Sequence, residues 1–154
     1  MNVDVVTEAV IAAPVADVSA YAADPASAPA WYANIESVEW VTNPPVEVGT
    51  RVAFVARFLG RRLAYTYEIV DLVPGERLVM RTAEGPFPME TTYTWSAIDA
   101  DSTRMTLRNR GEPTGFSKLM APMMRPAMRR ANRNDLVALR RILETARPSP
   151  GSDA

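Results

Sequence analysis

Cysteine and histidine are both absent from this chain, and the two absences exclude most familiar enzyme chemistry. Without cysteine there is no disulfide, no thiolate metal site and no thiol nucleophile. Without histidine the commonest general base and the commonest metal ligand are missing. A serine–histidine–acid triad is impossible, and zinc would have to be held by carboxylates alone, which it rarely is. No motif present asks for a cofactor, and none is expected. Long apolar runs are lacking too: no stretch approaches the roughly 18 residues needed to span a bilayer. The N-terminal segment Met1-Asn2-Val3-Asp4-Val5-Val6-Thr7-Glu8 carries acids early and no basic residue, so a signal peptide is not expected and a cytoplasmic protein is. Lysine is nearly missing, Lys118 being the only one. With the richness in alanine and proline, this points to a GC-rich bacterial genome.

What is present is an ordinary globular composition. The 154 residues are 47% apolar and 23% charged, enough for one domain with a real core. That domain is expected to cover residues 1–146. Residues 147–154, rich in proline, serine and glycine, read as a disordered tail.

The chain falls into strand patterns followed by one long helical pattern. Val3–Ala12 alternates as a first strand. Pro14 suits the first turn of a short helix over 15–21, and Asp24-Pro25 suits the start of a second that runs toward Trp31-Tyr32. Strands are then predicted over 35–41, 50–58, 62–72, 76–82, 89–98 and 103–110. They are separated by Asn43-Pro44-Pro45, Gly60-Arg61, Pro74-Gly75, Gly85-Pro86 and Asp99-Ala100-Asp101-Ser102. Such short connections make neighbouring strands antiparallel. From Phe116 to Ala146 apolar residues recur at spacings of three and four: Phe116, Leu119, Met120, Met123, Ala127, Ala131, Asp135/Leu136, Leu139 and Ile142/Leu143. A helix of about 30 residues would be about 45 Å long, so it must lie across something broad, such as a curved sheet. Pro122 and Pro126 fall in its first turns, where proline is tolerated or bends the helix.

This order resembles the START-type helix-grip superfamily (SRPBCC), in particular its bacterial polyketide cyclase/dehydrase-like branch. The residues that carry the resemblance are Ile11-Ala-Ala-Pro14-Val-Ala-Asp-Val18, Asp24-Pro25 with Trp31, Val48-Gly49-Thr50, Val70-Asp-Leu-Val-Pro74-Gly-Glu-Arg77-Leu78, Ser102-Thr103-Arg104-Met105-Thr106, and Asp135-Leu-Val-Ala-Leu139-Arg-Arg-Ile-Leu-Glu144. It spans residues 3–146. It implies an α+β helix-grip fold: a seven-stranded curved antiparallel sheet wrapped around a long C-terminal helix, with two short helices after the first strand. It also implies a cavity between sheet and helix.

Strand alternation then predicts the residues that line this cavity: Phe54 and Phe58, Tyr65 and Tyr67, Met80, Met89, Tyr93 and Trp95, Leu107 and Asn109. The helix would add Phe116, Met120, Met123, Met124, Ala127 and Ala131. Its methionines would form an adaptable apolar wall, and its alanines would leave room. Trp31 and Tyr32 either gate the cavity mouth or anchor the second helix on the sheet. Arg57, Glu68, Arg81, Glu90 and Arg108 alternate with these positions and should face solvent. A β-bulge would invert part of a strand and its assignments.

The expected ligand is a hydrophobic small molecule, aromatic polyketide-like or lipid-like. The alternative is a polyketide aromatase/cyclase that uses the same cavity, with Tyr65, Tyr67, Tyr93 and Asn109 as its polar groups and shape and positioning in place of a histidine base. A third reading comes from charge. Residues 1–114 carry nine basic and fifteen acidic side chains, and residues 115–147 carry eight basic and two acidic. A basic helix face with Arg125, Arg129, Arg130 and Arg133 suits an anionic membrane surface. No aromatics are interleaved on that face, so nucleic acid is not an expected partner.

Overall fold

The structure, a computed structural model, describes residues 3–58, 60–85, 88–112 and 121–146. Seven strands are present among them: β1 (Val3–Ile11), β2 (Ile35–Trp40), β3 (Arg51–Phe58), β4 (Arg61–Val73), β5 (Arg77–Glu84), β6 (Met89–Asp99) and β7 (Ser102–Gly111). Between β1 and β2 stand α1 (Val15–Ala23), a 3-10 turn (Pro25–Ser27) and α2 (Ala28–Trp31), and the last described element is the long helix α3 (Ala121–Ala146). This is the expected α+β helix-grip fold. The expected helix start at Phe116 and the expected tail lie outside the described residues.

The strands form one antiparallel sheet in the order β1-β7-β6-β5-β4-β3-β2. From β2 onward each strand pairs with the next in sequence. The exception is β1, which closes against β7 in a nine-pair register from Val3↔Gly111 to Ile11↔Thr103. β1 and β2 are therefore the two edges of the sheet, and α1, the 3-10 turn and α2 span the gap between them. Asp24 starts the second helical segment as expected: it caps the 3-10 turn, its Oδ1 accepting from the Ala26 N–H at 3.0 Å and so satisfying a donor that the turn leaves free. Pro14 sits one position earlier than expected, as the residue before α1, and its carbonyl accepts from Asp17 and Val18.

Alternation along the strands divides the sheet into two faces. The concave face buries Val52, Phe54, Tyr67, Ile69, Leu78, Met80, Tyr93, Trp95, Met105 and Leu107 against Leu136, Leu139 and Leu143 of α3. The other face is ionic: Arg51 pairs with Glu68, Arg57 with Glu36, Arg77 with Asp71, Arg108 with Asp4, and Glu90 with both Arg81 and Arg110. Such exposed pairs contribute at most about 1 kcal/mol each, so burial of the concave face is the main stabilising term. A bulge in β4, between Ile69 and Asp71, shifts the alternation by one residue. After it Asp71 points outward to Arg77, and Leu72 packs on the core.

α3 packs chiefly on β1 and also touches α1 and α2. Two hydrogen bonds fix its position. The backbone N–H of Ala12 donates to Glu144 Oε2 at 2.8 Å, and that of Ala33 donates to Asp135 Oδ1 at 3.1 Å. Among the described residues no helix is long and apolar enough to cross a membrane.

If the inward face of α3 carries the fold, substitutions on its two sides should differ sharply. Leu139 is fully buried and Val137 is half exposed. Urea denaturation should show that Leu139→Ala lowers stability by about 2–5 kcal/mol and that Val137→Ala changes it by less than about 0.5 kcal/mol.

Candidate functional site

A cavity of about 130 Å³ lies between the concave face and α3. Every layer of the fold contributes to its wall: Ala22 and Ala23 of α1, Ala28 of α2, Ile35 of β2, Phe54 and Ala56 of β3, Leu63, Tyr65 and Tyr67 of β4, Leu78 and Met80 of β5, and Met89, Thr91 and Tyr93 of β6. Asn109 of β7 and Met124, Met128, Ala131, Asn132 and Asp135 of α3 complete it, with Tyr32 and Asn34 from the segment between α2 and β2. The aromatic wall is well packed. Phe54 stacks on Tyr65 with centroids 5.6 Å apart, and Tyr67 meets both rings at a steep angle.

Hydroxyl groups at the wall form two hydrogen-bonded clusters. Across β4, β6 and β7 runs a chain in which Thr91 Oγ1 donates to Asn109 Oδ1 at 2.5 Å and lies 2.8 Å from the Tyr67 hydroxyl. Because the Thr91 proton is used on Asn109, Tyr67 is the donor to Thr91. In the second cluster the hydroxyls of Tyr32 and Tyr93 are 2.6 Å apart. Two hydroxyls that share one hydrogen bond leave one proton over, so this pair offers a donor. Burial raises the pKa of both groups well above the ordinary tyrosine value. It also raises Tyr65, and it pushes Tyr67 up to about 12. All four remain protonated at neutral pH and act as donors, not as bases.

Asp135 is the one carboxylate of α3 turned into this space. It is 2% exposed, and burial raises its pKa to about 6, opposed by the Ala33 N–H bond to Oδ1. Its field also raises the pKa of Tyr32 and Tyr93, so the three groups belong to one cluster. One helical turn earlier, Asn132 is 4% exposed and its Nδ2 has no hydrogen-bond partner.

Of the residues expected from sequence, Tyr32, Phe54, Tyr65, Tyr67, Met80, Met89, Tyr93, Asn109, Met124 and Ala131 line the cavity. Others among those expected do not. Leu107 is fully buried as core beneath the wall. Trp31 is an anchor: it is buried in the core with its ring 5.8 Å from that of Tyr93 on β6, and its Nε1 donates to Ser27 Oγ at 3.2 Å. Trp95 is buried next to Tyr93 but borders a separate groove beside α1. Met123 is 56% exposed, because each helical residue turns about 100° from the last and Met124 takes the inward place. Ala127 is half-buried off the wall. Phe116, Met120 and the Phe58 side chain lie outside the described residues. Arg125, Arg129, Arg130 and Arg133 are exposed.

Sequence reasoning missed Asn132, Asp135 and Thr91. The signal for Asp135 was its position: Ala127, Ala131, Asp135 and Leu139 recur every fourth residue, so an acid stands in an apolar stripe. Thr91 falls between Met89 and Tyr93 in the inward alternation of β6.

The Asp135 carboxyl gives a pH signature of known sign. A carboxyl whose folded pKa is raised favours the fold most when protonated, fully so below its unfolded value near 3.8. That stability is lost as pH rises through about 6. Asp135→Asn keeps an acceptor for Ala33 and removes the charge. The variant should match the native protein below pH 4 and exceed it by about 2 kcal/mol above pH 6, measured as the difference between their urea midpoints across pH.

Comparison with known proteins agrees with this architecture. No curated protein matches the sequence. Among solved structures, the Thermus thermophilus protein TTHA0849 superposes with a TM-score of 0.80 at 23% identity, covering 94% of this chain and 99% of that one. The Zhui aromatase/cyclase of a Streptomyces species gives 0.83 at 19% identity, covering 98% and 99%. A START superfamily protein of Mycobacterium smegmatis gives 0.79 at 14% identity, covering 94% and 99%. At these identities the likeness is one of fold. The family model described as polyketide cyclase/dehydrase and lipid transport matches residues 2–144, and the chain therefore belongs to that family.

Proposed function

We propose that this protein binds a hydrophobic small molecule, aromatic or lipid-like, in the cavity between the sheet and α3. The single observation that carries this reading is an apolar space left unfilled in an otherwise packed core, with a few convergent polar atoms. Its size limits the occupant. A cavity of about 130 Å³ compares with the roughly 150 Å³ that admits a benzene molecule. The resting cavity therefore suits one ring. A fused-ring or chain ligand requires Met89, Met124 and Met128 to change rotamer, which unbranched methionine does at low cost. The buried tyrosines stay neutral; Tyr65 and one hydroxyl of the Tyr32–Tyr93 pair keep a proton to donate to a ligand oxygen, whereas Tyr67 has committed its own to Thr91.

A second reading, a cyclase-type enzyme, is favoured by one observation. Asp135 has a pKa of about 6 and shares a cluster with the Tyr32–Tyr93 pair. A group that titrates near neutrality beside proton donors can carry a proton between substrate atoms. The aldol closure of a poly-β-ketone, with loss of water, needs such transfers. In that case Asp135→Asn would abolish turnover and leave substrate affinity within a few fold. In a carrier the wild type itself gives no turnover.

Ala131 lines the cavity, so a larger side chain there should occupy the ligand's place. Ala131→Phe should weaken binding of phenol or naphthol at least about tenfold, followed by quenching of tryptophan fluorescence, with the melting temperature held or raised. Unchanged affinity in a folded Ala131→Phe protein would move the binding site elsewhere.

A further inference from the structure

Asn132 and Asp135 sit one turn apart on α3, and both line the cavity. They are complementary in hydrogen bonding. The Asn132 amide is buried and its Nδ2 finds no acceptor among the described residues, a costly state unless something else satisfies it. Asp135 gives Oδ1 to the Ala33 N–H, which leaves its other oxygen with acceptor capacity to spare. One neighbouring pair thus offers an unused donor and a spare acceptor to the same space. Native proteins seldom leave a buried donor such as this one unmet.

We propose that Asn132 and Asp135 form a two-point recognition site for a ring that carries a ketone and a hydroxyl on non-adjacent positions, the Asn132 amide donating to the ketone oxygen and the Asp135 carboxylate accepting from the hydroxyl. This rests on the cavity-binding reading and narrows its ligand class. Residues three apart on a helix hold their Cβ atoms about 5–6 Å apart, so the two side chains reach two separate substituents of one ring and not a single ligand atom. An ortho pair would satisfy itself internally. A plain hydrocarbon would fill the cavity but leave the Asn132 amide without an acceptor and the second Asp135 oxygen unused, so the site selects against it. The apolar remainder of the wall, with Leu78, Met80 and Met128, receives the rest of the ring system.

The test is a ligand series on the full-length protein, read by tryptophan fluorescence or calorimetry: acetophenone, meta-ethylphenol, meta-methoxyacetophenone and meta-hydroxyacetophenone. The last should bind about tenfold tighter than each of the others, because only it meets both groups. Asn132→Leu should remove the advantage conferred by the ketone and keep that of the hydroxyl, and Asp135→Asn should do the reverse. Equal affinity across the series overturns the two-point site and leaves the cavity reading standing. Failure of every member to bind overturns both. The series on the wild-type protein decides the matter even if a variant folds poorly.

Discussion

One helix cannot cover a seven-stranded sheet, and the rest of this structure follows from that mismatch. Strands about 4.8 Å apart make a sheet roughly 29 Å wide, whereas a helix with its side chains is about 10–12 Å across. The sheet must curve to bring its concave face toward the helix. α3 lies chiefly on the β1 edge, so the strands farther away are covered by α1, α2 and the side chains of the opposite wall. What those side chains do not fill is the cavity. Its place is set by topology, since β1 and β2 are opposite edges and the short helices bridge the opening between them.

The polar groups of the site sit where different elements meet. Tyr32 comes from the end of α2, Tyr93 from a central strand, and Asp135 from α3, tied to the chain just beyond Tyr32 through the Ala33 N–H. That one hydrogen bond links the segment after α2 to the long helix. It also accounts for an acid in a place where burial opposes its charge. The fold carries the cost of Asp135, and the cavity tyrosines are neutral donors. A binding site of this kind reads shape first and a small number of hydrogen bonds second.

Much of the fold was legible because its signals are periodic. Alternation placed Phe54, Tyr65, Tyr67, Met80, Met89 and Tyr93 on the inward face, and turn residues separated all seven strands. Alternation reports a face and not a depth. Leu107 and Trp95 share the inward face with Tyr93, yet they are packed below or beside the cavity. Trp31 was open between gate and anchor, and its burial in the core against Tyr93 of β6 identifies the anchor. The methionine-rich start of the helix invited a reading of all its methionines as wall, but helical rotation sends Met123 outward. Asp135 was concealed by the regularity around it: one acid in a four-residue repeat looks like a slip in the pattern until its surroundings are known.

The most direct measurement of the central claim is a carbon-proton spectrum of the methionine methyl groups while phenol is added. Met80, Met89, Met124 and Met128 line the cavity and Met123 faces solvent. The account predicts saturable shifts at the first four methyls with Met123 unmoved. Shifts confined to Met123, or no saturable shift at any of the four, would contradict it.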